Sequence, residues 1–150
     1  MWTLLERKDA KILALIGLTS MLLLLSGCLG MQEGARKGNL DFAVNDYNQS
    51  IRWGMLGRAL VYIPEPNQEE FIRTAEKVFD NVSFADFEIR AILPDAEIKT
   101  AKVMVNVGIY TKDSLKLVTV KQVQKWQKVN KRWYILNPDL EVFLKKLNIQ

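Results

Sequence analysis

Cys28 is the one cysteine in a chain of 150 residues that contains no histidine. Those two facts bound the chemistry its side chains can do. Ser-His-Asp and Cys-His nucleophilic machinery, Cys/His zinc sites, CxxC redox pairs and internal disulfides all need residues that are absent. No metal and no cofactor is expected. What remains is a thiol open to acylation, tyrosyl hydroxyls that can donate hydrogen bonds, carboxylates that can act as acid or base where burial raises their pKa, and clustered lysines and arginines. The chain is 49% hydrophobic and 25% charged, with 21 Lys+Arg against 17 Asp+Glu. That is the composition of one globular domain, too apolar for a disordered tail.

The segment ahead of Cys28 positions its thiol. Arg7, Lys8 and Lys11 precede an uncharged run from Ile12 to Leu25, the charged and apolar regions of a signal peptide. As a helix this run spans about 21 Å, short of the ~30 Å hydrocarbon core, so a cleaved signal is expected rather than a permanent span. The tetrapeptide Leu25-Ser26-Gly27-Cys28 that follows closely resembles the lipobox of bacterial lipoprotein precursors. The resemblance implies cleavage between Gly27 and Cys28, a diacylglyceryl group on the sulfur, and an acylated new N-terminus carrying palmitate-type chains. One acyl chain binds marginally, whereas two or three hold a protein on a bilayer. Leu29 at the following position resembles the sorting pattern for the periplasmic face of the outer membrane in a Gram-negative host. A Gram-positive host would keep the protein on the outer face of its single membrane. The expected organisation is a signal peptide over 1–27, a lipidated Cys and glycine-rich tether over 28–39, and a folded domain over 40–150.

Within that domain the apolar period is first helical. Leu40, Val44, Tyr47, Ile51 and Met55 share a face opposite Asp41, Asn45, Asn48 and Arg52, with Asn39 as N-cap. A second helix is expected over Leu56–Tyr62, ending before Pro64, and a third capped by Asn67 with Phe71, Ile72, Ala75, Val78 and Phe79 as its buried stripe. After Asn81 the period becomes two. Phe87, Ile89 and Ala91 define one strand, and Ala101, Val103, Val105, Val107 and Ile109 a second. A long segment, Leu115–Val129, is expected to bulge near Lys121. Asn130-Lys131 then supports a two-residue hairpin turn into Trp133–Leu136. With Lys128 opposite Trp133 and Trp126 opposite Ile135, the expectation is that the two tryptophans lie on opposite faces, Trp133 in the core.

Three helices followed by a four-stranded antiparallel meander predict an α+β fold, helices packed on a curved sheet. The helix around Asp46-Tyr47, the segment Arg58–Tyr62 and the hairpin Trp126–Tyr134, of form W-x-x-V-x-x-x-W-Y, make the chain resemble the nuclear-transport-factor-2-like (cystatin-like cone) superfamily over residues 40 to 137. That superfamily includes isomerases, dehydratases and non-enzymatic binding domains, so the likeness implies a fold and a cavity.

The resemblance implies, for an enzyme, a cavity with an Asp or His base and a Tyr or acid donor. Tyr47, Trp53, Tyr62 and Tyr110 are the candidate pocket residues, and Trp126, Trp133 and Tyr134 could add to it. The strand pattern places Glu88 and Glu97 outward, which leaves no acid for the base. The expected function is therefore a non-enzymatic, membrane-tethered envelope domain that binds an envelope protein or a small apolar ligand. An isomerase or dehydratase using the cavity and a structural subunit of an envelope complex are the alternatives. Residues 111–150 hold nine Lys and Arg against three acids. Within them Lys121, Lys125, Lys128, Lys131 and Arg132 are candidate contacts for an anionic surface. Nucleic acid is not an expected partner of an exported chain.

Overall fold

The computed structural model describes residues 39–111 and 113–149. Gly27, Cys28 and most of the tether lie outside the described residues. Among the described residues no helix is long and apolar enough to cross a membrane.

Helix α1 spans Leu40–Arg52 and begins as expected, with the Asn39 side chain accepting from the Asp41 backbone N–H at 2.9 Å. Asp41 in its first turn and Arg52 in its last complement the helix dipole. It buries Leu40, Ala43, Val44, Tyr47 and Ile51. Met55 does not extend this stripe. Gly54 turns the chain at φ 64°, and Met55 is exposed beyond the helix end. Helix α2, Leu56–Ala59, tightens into a 3₁₀ turn at Leu60–Tyr62 rather than continuing as one helix, and a second 3₁₀ turn follows Pro64. Helix α3, Gln68–Asn81, buries Phe71, Ala75 and Val78, while Ile72 and Phe79 are half-buried. Asn67 makes no side-chain cap, and Glu69 and Glu70 stand in the first turn instead.

Four antiparallel strands follow in sequential order: β1 Val82–Pro94, β2 Thr100–Thr111, β3 Ser114–Val129 and β4 Arg132–Ile135. Strand β2 carries the inward rail of Ala101, Val103, Val105, Val107 and Ile109, all buried. No irregularity lies near Lys121; the β2–β3 pairing slips only beyond it, between Ile109 opposite Val118 and Thr111 opposite Ser114, and the others fall on β1. Its register against β2 slips between Phe84 and Asp86 and again between Ile89 and Ala91. Each extra residue inverts the alternation beyond it, so Ala91 pairs with Met104 on the outer face and Ile92 points inward with Val103. β3 runs in unbroken register with β2 from Val118 to Gln127. A final helix, α4, Glu141–Lys146, buries Phe143 and Leu144.

The β3–β4 hairpin has the expected register, Trp126 opposite Ile135 and Lys128 opposite Trp133. That register nevertheless puts both tryptophans on one face. Cross-strand partners share a face, and so do residues two apart, so Trp126, Lys128, Trp133 and Ile135 all point to the helix side. Trp126 is 1% exposed and Trp133 2%. Lys128 reaches over the Trp133 ring, its ammonium 5.8 Å from the centroid. The turn residues Asn130 and Lys131 adopt φ of 48° and 68°, the left-handed pair such a hairpin requires. Lysine is strained there, so Lys131→Gly is expected to raise stability by roughly 0.5–1 kcal/mol in urea unfolding.

Candidate functional site

The inner face of the sheet and helix α1 enclose an aromatic cluster centred on Trp126. Its ring meets Tyr47 at 5.7 Å and Tyr62 at 6.0 Å between centroids, both edge-to-face, and Tyr47 packs in turn on Phe71. The structure thus brings two of the expected pocket residues together, as packed core. It separates the other two. Trp53, 59% exposed, follows the end of α1 with the Arg52 guanidinium 5.1 Å from its ring, and Tyr110 points to the outer face between the inward Ile109 and the strand end. Tyr134 is also on the outer face, opposite Gln127.

Beside Trp126 lies a buried polar chain. Gln124, with 0% exposure, donates to the Asn48 Oδ1 at 2.8 Å and to the Gln122 Oε1 at 3.0 Å, while its own Oε1 accepts from Trp126 Nε1 at 3.2 Å and from Asn48 Nδ2 at 3.3 Å. Asn48 Nδ2 also donates to the Val44 carbonyl at 2.7 Å, and Gln122 donates to the Asp139 carbonyl at 2.8 Å. The chain ties α1 to β3 and to the segment before α4. Asn48, expected opposite the apolar stripe, in fact lies one turn beyond Val44 at the flank of that stripe, where Gln124 of the sheet meets its amide. Gln122 and Gln124 were readable, because they share the period-two rail of Val120 and Trp126.

The Tyr47 hydroxyl is buried and has no hydrogen-bond partner among the described protein groups. Burial pushes its pKa well above the usual phenol range. The adjoining cavity, walled by Tyr47, Asn48, Gln122, Phe84, Val107 and Phe143, measures about 10 Å³, room for roughly one water. Asp86 contributes to its edge, but the carboxylate lies across Gly108, where an added Cβ would come within 2.3 Å of Oδ1. Asp86 is exposed, whereas the partly buried Asp46 accepts from the Tyr62 hydroxyl at 2.8 Å and pairs with the Arg58 guanidinium, clamping α1 to α2. Burial, then this bond to Asp46, raises the Tyr62 pKa. An unpaired buried hydroxyl costs about 1–3 kcal/mol. Tyr47→Phe is therefore expected to leave the urea midpoint unchanged or raise it.

The five candidate basic residues divide into two groups. Lys121 and Lys125 are exposed on the outer face, opposite Asn106 and Lys102. Lys128, Lys131 and Arg132 lie at the hairpin end of the sheet.

Comparison with known proteins fits this geometry. No protein-family model and no curated protein matches the sequence. Among solved structures, a SEC-C motif containing protein from Rhodopseudomonas palustris matches with a TM-score of 0.56 at 7% identity, over 66% of this chain and 76% of its own. A ketosteroid isomerase-like protein from Erwinia carotovora atroseptica matches with a TM-score of 0.53 at 13% identity, over 64% of this chain and 87% of its own. The fold is the nuclear-transport-factor-2-like α+β cone. In this cone the interior between helices and sheet is filled by Trp126, Tyr47, Tyr62 and the Asn48–Gln124 chain.

Proposed function

We propose that the protein is a lipid-anchored lipoprotein of the bacterial envelope whose cone domain binds or assembles with a partner through its surface and is not an enzyme. The observation that supports the surface reading is the filled interior, where the cavity beside Tyr47 has room for one water. An isomerase or dehydratase needs a desolvated base facing a substrate-sized space. Here the Asp46 carboxylate is held by Tyr62 and Arg58, and the Asp86 carboxylate lies across Gly108. The same packing favours a macromolecular or lipid partner over a small apolar ligand. The outer sheet face offers exposed Leu93, Met104 and Val123 beside Lys121 and Lys125 for such contacts. The anchor rests on the lipobox-like Leu25-Ser26-Gly27-Cys28. Expressed in a bacterium fed radioactive palmitate, the wild-type chain is expected to take up label and to shorten. Cys28→Ala is expected to stay unlabelled and uncleaved, and palmitate incorporation into that variant contradicts the reading.

A further inference from the structure

Two turns stand side by side at one end of the sheet. Thr100 pairs with Gln127, and the Lys128 N–H donates to the Lys99 carbonyl at 2.8 Å, so the β1–β2 turn over residues 95–99 neighbours the β3–β4 turn. The folded domain also begins here. Asn39 and Leu40 line a shallow groove of about 400 Å³ together with Ile98, Lys128 and Trp133.

Ile98 is out of keeping with its position. Its φ is 54° and it is 55% exposed, a left-handed conformation that strains a β-branched side chain. Its side chain does not close the turn. Asp95 does, accepting from the Lys99 N–H at 2.8 Å and from Thr100 N and Oγ1, and the Lys99 contact foremost holds the Asp95 carboxyl below the usual range. Strain of this kind persists where a particular side chain is needed for something other than the turn. Val129, on the neighbouring turn, is likewise exposed. Around the two apolar tips stand Lys128, Lys131 and Arg132. Of the acids at this end, Asp95 is turned into its own loop, Glu97 pairs with Lys99 at 2.6 Å, and Asp41 sits in the first turn of α1.

We propose that this end of the domain docks on an anionic lipid surface, Ile98 and Val129 entering the headgroup–acyl boundary while Lys128, Lys131 and Arg132 meet lipid phosphates. Separate apolar tips ringed by cations suit an interfacial anchor, whereas a protein partner is better matched by contiguous apolar surface. The proposal rests on the tethered reading. For a tether of 11 residues, Leu29 to Asn39, the general relation between length and reach gives about 17–20 Å. They join the domain at the end that carries both tips, so the anchored domain meets the bilayer with this end first.

The full chain, matured and acylated in a bacterial host, is reconstituted in phosphatidylcholine vesicles with and without phosphatidylglycerol. Because acylation consumes the Cys28 thiol, Ile98→Cys and Val129→Cys each give a single labelling site for an environment-sensitive fluorophore, and Asp113→Cys, in the turn at the far end of the sheet, is the control. Flotation reports the anchor, and quenching by nitroxide lipids reports docking. All variants are expected to float. Probes at 98 and 129 are expected to be quenched several-fold more than the probe at 113 when phosphatidylglycerol is present. Joint replacement of Lys128, Lys131 and Arg132 by Glu is expected to abolish that difference without affecting flotation. Ile98→Gly is expected to raise the urea midpoint yet lower quenching at position 129. Equal quenching at all three positions in floating protein overturns the docking and leaves the anchor standing. Failure to float overturns the tethered reading and the docking with it.

Discussion

Trp126→Ala is expected to lower the unfolding free energy by about 3–5 kcal/mol, the range for large aromatics truncated in a packed core. Its ring is the common neighbour of Tyr47 and Tyr62, and its indole N–H donates to Gln124. Truncation therefore opens a cavity and removes a buried hydrogen bond together. Trp133→Ala is also expected to destabilise, by no more than Trp126→Ala, because Trp133 lies at the hairpin end beneath Lys128. Urea unfolding of the two variants decides the matter. A small loss at Trp126 alongside a large one at Trp133 contradicts the inward placement of both rings.

The second large effect is expected at Gln124. Gln124→Leu leaves Asn48, Gln122 and the Trp126 N–H short of partners in a buried site. With each orphaned group worth about 1–3 kcal/mol, a total loss of roughly 3–4 kcal/mol is expected. Asn48→Leu combined with Gln124→Leu is expected to cost at least about 1 kcal/mol less than the sum of the single changes, since the two amides unsatisfy each other when only one is removed. Additive losses in equilibrium unfolding contradict a shared network.

Much of the architecture was legible because local chemistry and tertiary context agree there. Asn39 caps α1 by its own side chain, Val103, Val105 and Val107 alternate without interruption, and the two residues Asn130-Lys131 between the paired strands make the tight left-handed turn. Where the reading failed, a single residue shifted the phase. The β1 bulges add one residue each and reverse which side chains face the helices, which no count of apolar residues around Ala91 reveals, since Ala and Ile fit either face. The misplacement of Trp126 was of another kind. The pairing was correct, and its geometry already put Trp126 and Trp133 on the same side. The candidate pocket dissolved for a physical reason. Trp53 follows the helix end and has no wall to pack on, while Tyr47 and Tyr62 are drawn onto Trp126 and fill the space a ligand would take. Asn48 was legible from its spacing, four residues beyond Val44 and beside Tyr47, and what the sequence does not show is the partner that satisfies its amide, Gln124, 76 positions away in the chain.

The docking orientation depends on the lipid anchor, and the N-terminus of the mature protein tests that anchor most directly. The protein is extracted from the membrane fraction of an expressing bacterium, digested, and its N-terminal peptide weighed by mass spectrometry. The expected peptide begins at Cys28 and carries the added mass of a diacylglyceryl group, with or without a third acyl chain. A peptide that begins at Met1, or one that begins elsewhere with an unmodified Cys28, contradicts the lipid anchor.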